Sequence, residues 1–144
     1  MKVLIVHAHP EPKSFNASTP ARAPVVLRGW VKDGAHVNAM GADAHGKQEL
    51  EPALLVEGRV VIDDWEQATH SGEVNVPLEQ GLLRRDQIHA TLGEILAGAR
   101  PGREDARVTV FDSTGLAVQD VALARALHEA ARAKGVGTVF DFFG

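Results

Sequence analysis

At 144 residues, with 44% hydrophobic and 24% charged, the chain has the composition of a single globular domain large enough to bury its own core. A formal charge of -4 leaves no general basic field, which argues against nucleic acid as a partner, and no apolar run approaches the roughly 20 residues of a membrane span. The opening Met-Lys-Val-Leu-Ile-Val is too short for a signal peptide, and without cysteine there is no disulfide framework or thiolate metal site, so a cytoplasmic protein is the default expectation.

Lys2 to Ala8 is an apolar, β-branched run that suits a buried parallel strand. His7 and His9 then fall on the same side of the strand end, but two histidines without a third ligand make a poor metal site, and no metal is expected. Pro20 and Pro24 remove donors and bias their predecessors away from helix, so no helix is expected over 17–24. Asp33-Gly34 marks a turn before a central strand, His36 to Met40. A small-residue turn, Gly41-Ala42-Asp43, follows, and a helical stretch begins near Gln48 and runs on through Leu50 to Val56. In an open α/β sheet, ligands meet the chain outside the carboxyl ends of the strands, which gives Asp43 the strongest claim to chemistry. The alternative is that Gly41 serves the turn and Asp43 caps the next segment.

Arg59 to Asp63 is a further strand. Asp63-Asp64 at its end suits the cap of a helix from Trp65 better than a metal or general-acid pair. His70 to Pro77 is expected as a loop and Leu78 to Leu83 as a helical turn. The spacing of Ile88, Leu92, Ile95 and Leu96 predicts a helix over Asp86 to Leu96, ended by Gly98. A charged loop over 99–107 leads to a strand, Val108 to Phe111, and then to a second strand-end turn. There the hydroxyls and N–H groups of Ser113, Thr114 and Gly115 are expected to face the same crevice as Asp43. Leu116 to Lys134 is the longest helix, stopped by Gly135, and Val136 to Phe142 a last strand. The alternation predicts a three-layer α/β fold with a parallel sheet of four or five strands.

A dinucleotide fold normally carries Gly-x-Gly-x-x-Gly between a strand and a helix, because only glycine lets the backbone approach the pyrophosphate. The chain has no such run, and Gly135-Val-Gly137 follows a helix instead. His36, His45, His70, His89 and His128 are scattered, and no nucleophile elbow is present.

Several segments do carry a resemblance. Asn38-Ala-Met-Gly-Ala-Asp43-Ala-His-Gly-Lys47-Gln-Glu-Leu50 is similar to the ornithine cyclodeaminase and mu-crystallin family, which includes NAD-dependent amino- and imino-acid dehydrogenases. So, in the same order, are Ser18 to Val26, Val60 to Asp64, His70 to Pro77 and Phe111 to Asp120. The resemblance implies that 17–144 is the second half of a Rossmann nucleotide-binding domain. Thr19, Gly41, Ala42, Ser113, Thr114 and Gly115 would then lie along NAD, with Asp43 handling protons at the imine stage. The family's lysine that fixes the substrate carboxylate lies in a domain these residues do not resemble, and Lys47 is no substitute for it.

Residues 1–16 resemble a different family, the flavodoxin-like quinone reductases, in His7-Ala-His-Pro-Glu-Pro-Lys-Ser-Phe-Asn16. That resemblance implies a loop for the phosphate of FMN or FAD built from His9, Ser14, Phe15 and Asn16. Two resemblances meeting near residue 17 point to a recombined or engineered chain, with a natural truncated paralogue as the second possibility. The expected function is a catalytically incomplete half of an NAD(P)-binding domain, a folded scaffold without turnover. The alternatives are a flavin or phosphate binder and a dehydrogenase that needs a missing domain. A sheet edge and helix faces left bare, with Val3, Ile5, Leu116 and Val121 among them, predict a homodimer.

Overall fold

Short runs of β-branched and small apolar residues build a sheet in which every pair is parallel. The computed structural model describes residues 3–6 (backbone only), 24–105 and 107–138. Among the described residues five strands, β1 (Val3–Val6), β2 (His36–Ala39), β3 (Arg59–Ile62), β4 (Ile88–Thr91) and β5 (Thr109–Asp112), lie in the order β1-β2-β5-β3-β4. The expected parallel α/β fold is therefore observed. The N-terminal strand lies beside β2 as expected, with Val3 opposite His36 and Val6 opposite Ala39.

Alternation along the strands sends one set of side chains to each face. Val37, Val60, Ile62 and Val110 are fully buried on one face, where Leu54 and Leu55 of α1 (Pro52–Glu57), Ala68 of α2 (Trp65–Ser71) and Val74 before α3 (Asn75–Glu79) complete the core. On the other face His36, Asn38, Arg59, Val61, Thr109 and Phe111 line a hollow of about 420 Å³, bordered by Leu92 and Ile95 of α4 (Leu92–Leu96). The chain divides into two compact units, Met1–Thr114 and Gly115–Gly144. The second holds α5 (Ala117–Lys134), which Gly135 ends in the left-handed conformation at φ 63°, as the sequence predicts. No described helix is long and apolar enough to cross a membrane.

Four expectations need correction. Asp86 to Leu96 is not one helix but a 3-10 turn (Arg85–Gln87), then β4, then α4. Ile88 and Ala90 are buried while His89 and Thr91 are half-buried, a period of two over too few residues to stand out against the helical spacing. Thr91 and Glu94 form a capping box that starts the helix only at Leu92. The helix expected near Gln48 begins at Pro52, because the backbone around Leu50 pairs with the segment at Val26. His70 to Pro77 contains the end of α2 and the start of α3, which also precedes the turn expected at Leu78. Val136 to Thr138 is irregular, and the rest of the expected last strand lies outside the described residues.

Candidate functional site

The carboxyl ends of β2, β3 and β5 come together. The Ser113 N–H donates to the Ala39 carbonyl at 2.9 Å and the Asp63 N–H to the Asp112 carbonyl at 3.2 Å, so the turns after these strands share one rim. At the first turn the Asp43 N–H bonds the Gly41 carbonyl at 2.9 Å. Gly41 and Ala42 are buried, while the Asp43 side chain is 67% exposed and pairs with Lys47 one helical spacing on. The Asp43 carboxylate thus goes to a lysine and not to a helix start. A Cβ on Gly41 would fall onto the end of the Glu49 side chain, which would have to turn aside.

The second turn is arranged otherwise. The Asp63 carboxylate accepts the Thr114 N–H at 2.6 Å, the Thr114 hydroxyl at 3.0 Å and the Ser113 hydroxyl at 3.3 Å. The hydroxyls expected to face the crevice are turned onto Asp63, and Ser113 is buried. Gly115 falls in the second unit. Asp64 caps α2 as expected, accepting from the N–H groups of Glu66 at 2.9 Å and Gln67 at 3.0 Å. His9, Ser14, Phe15, Asn16 and Thr19 lie outside the described residues.

Beneath the rim sits a group that the sequence reading missed. Glu73, 0% exposed, accepts the N–H of Glu49 at 3.1 Å and of Leu50 at 3.0 Å. Asp112, 1% exposed, accepts the Val74 N–H at 3.2 Å. Asn75 receives the Gly46 N–H at 3.0 Å and donates to the Lys47 carbonyl at 3.1 Å and to the Gly72 carbonyl. Burial pushes the Glu73 carboxyl up to about 8, and the nearby Asp112 and Glu49 add to this against the N–H groups of Leu50 and Glu49. Burial likewise pushes Asp112 up to about 7, aided by Asp63 and opposed by the N–H groups of Glu73 and Val74. The available signal was a glutamate flanked by Gly and Val in Gly72-Glu-Val-Asn-Val-Pro77, a charge inside an apolar run.

Among the described residues no group of three or more His, Asp or Glu side chains could hold a metal ion. Among the described residues, the helices that start directly after strands, α2 and α4, have N-termini taken by Asp64 and by the Thr91-Glu94 box. A pyrophosphate would have to compete with those carboxylates, so these helix starts do not fit the phosphate half of a dinucleotide. The rim instead offers one exposed carboxylate, Asp43, backed by Lys47.

The ornithine cyclodeaminase/mu-crystallin family model matches residues 15–135. The chain belongs to this family. It is 50% identical to alanine dehydrogenase of Archaeoglobus fulgidus over 127 residues, which cover 88% of this chain and 39% of that protein. To iminosuccinate reductase of Paracoccus denitrificans it is 44% identical over 118 residues, 82% of this chain and 37% of that one. An archaeal alanine dehydrogenase dimer with bound NAD superposes with a TM-score of 0.78 at 46% identity, covering 98% of this chain and 41% of that one. The Δ1-pyrroline-2-carboxylate reductase of Thermococcus litoralis, in complex with NADH and L-proline, gives 0.75 at 38% identity, covering 85% and 38%. The family member thus spans about two fifths of the length of its relatives.

Proposed function

We propose that these 144 residues are the second half of an NAD(P)-binding domain of an amino- or imino-acid dehydrogenase, and that they fold without turning over substrate themselves. The observation that carries this reading is the rim of the parallel sheet, where Asp43 stands exposed beside Lys47 while, among the described residues, the helix starts after β3 and β4 are filled by Asp64 and Glu94. NAD, when bound, would supply the hydride acceptor. Asp43 would hold or release a proton at its carboxylate. An aspartate with nothing to orient its substrate forfeits the several kcal/mol that proximity contributes, hence the silence of the chain alone.

In this reading residues 1–16 are a borrowed segment that brings β1. The family match begins only at residue 15, yet β1 fills the sheet position beside β2. Like the archaeal alanine dehydrogenase dimer, the chain is expected to pair with a second copy. The test is an assay of the purified chain with NAD and alanine or ornithine. No NADH absorbance is expected to develop. Absorbance that grows with enzyme and disappears in Asp43→Asn overturns the reading of a silent half domain, and a yellow preparation would move it to a flavin held by residues His9 to Asn16.

A further inference from the structure

The segment that carries Asp43 has little regular structure of its own. Between β2 and α1 it forms a turn over Ala44 to Gly46, and Asp43, Ala44 and His45 are exposed, so apolar packing does not fix this part of it. Its far end pairs with the backbone at Val25 and Val26, His45 reaches Glu79 and His70, and two further side chains hold it from one neighbouring segment. Asn75 clasps the closing end of the turn, taking the Gly46 N–H at 3.0 Å and giving to the Lys47 carbonyl at 3.1 Å. Glu73 takes the N–H groups of Glu49 and Leu50.

Both belong to Gly72–Asn75, and that segment is itself seated on the sheet. The Val74 N–H donates to the Asp112 carboxyl at the end of β5 at 3.2 Å, and a Cβ on Gly72 would meet the same carboxyl, so the approach is as close as glycine allows. A continuous line of bonds runs from β5 through 72–75 to Lys47, and Lys47 holds Asp43.

We propose that Glu73 and Asn75 are positioning residues for Asp43, clamping the 46–50 backbone to the end of β5 so that Lys47 and Asp43 are presented at the rim. What Asp43 does there rests on the nucleotide-domain reading above; that it is held there by this clamp does not.

Amide hydrogen exchange of the 144-residue chain, followed by NMR, tests the clamp. Asn75→Ala is expected to speed exchange at Gly46 by roughly tenfold or more, and Glu73→Ala to do so at Glu49 and Leu50, the scale of leaving a buried donor unsatisfied. Val60 and Val110 in the sheet should keep their rates. Glu73→Gln should restore protection, because one carboxamide oxygen can take both N–H groups as Oε2 does now. The carboxyl resonance of Asp43 should move in both alanine variants and return in Glu73→Gln, a signature that loss of packing at 73 would not rescue.

Unchanged rates at Gly46, Glu49 and Leu50, an even rise over the whole sheet, or an Asp43 signal indifferent to all variants overturns the proposal. Should the alanine variants fail to fold, the unmodified chain decides. Gly46, Glu49 and Leu50 must then exchange at least about tenfold more slowly than the exposed Ala44 and His45, and equal rates overturn the clamp. A chain that binds no NADH sinks the functional reading and leaves these outcomes as they stand, so the two failures are told apart.

Discussion

The two strand-end turns on the rim have similar sequence credentials and opposite arrangements. Gly41-Ala42-Asp43 follows β2 and Asp112-Ser113-Thr114 ends β5, and each offers small residues with a carboxylate or hydroxyl where α/β sheets meet ligands. Asp43 is left outside, paired among the described residues with Lys47. Ser113 and Thr114 spend their hydroxyl donors on Asp63, and Asp112 is buried beside them. A turn at the carboxyl end of a strand is therefore not a site until its polar groups are accounted for; the neighbouring strand can consume them.

The largest way to break this contrast is pH. Glu73 and Asp112 have folded-state values raised to about 8 and about 7, above the ordinary carboxyl range they return to on unfolding. The folded chain therefore holds more protons than the unfolded one between about pH 4 and 8. Their contribution to stability is fully present below the unfolded value and is lost as pH rises through 7 and 8. Unfolding by urea is expected to show a stability lower by on the order of 4 kcal/mol at pH 9 than at pH 6, with Glu73→Gln removing the larger part of the slope. A stability that is level or rises over that window would mean the two carboxyls are not buried together under the second turn.

A smaller effect isolates the second turn itself. Asp63→Ala removes the acceptor of the Thr114 N–H and of both hydroxyls and should cost about 2 kcal/mol in the same urea titration, the loss expected when a charged acceptor leaves part-buried donors without partners. Ser113 and Thr114 would then be released, and a loss below about 0.5 kcal/mol would show that Asp63 does not tie them down.

Much of the sheet was legible because β-branched runs such as Val60-Val-Ile and Val3-Leu-Ile-Val leave few other options, and Asp33-Gly34 and Gly135 punctuate it by backbone necessity. β4 was hidden because Ile88, Leu92, Ile95 and Leu96 keep helical spacing across a strand and a helix that abut at Thr91. At the rim the exposure of Asp43 could be anticipated from its turn. The clamp of Glu73 and Asn75 could not: its bonds join residues 23 to 29 positions apart, and periodicity reports only local geometry. For the same reason the hydroxyls of Ser113 and Thr114 pointed, on sequence, to a crevice, whereas a partner some 50 residues upstream, Asp63, claims them.

The smallest effect on stability belongs to the residue with the strongest claim to chemistry. Asp43→Asn leaves an isosteric side chain on an exposed turn and removes only the ion pair with Lys47, an exposed contact whose attraction is screened by water and offset by the entropy of holding a long side chain. The change in unfolding free energy should stay within about 0.5 kcal/mol. That near-silence makes the substitution useful, because a folded, equally stable Asp43→Asn chain isolates what the carboxylate does. Adding the variant and the unmodified chain separately to NADH, and comparing the shifts of Gly41 to Lys47 amides, reads that difference. A response in the unmodified chain that is lost in the variant assigns the rim to the cofactor. A destabilisation above about 1 kcal/mol would instead place Asp43 with Asp63, among the carboxylates that hold the rim together, and erase the contrast between the two turns.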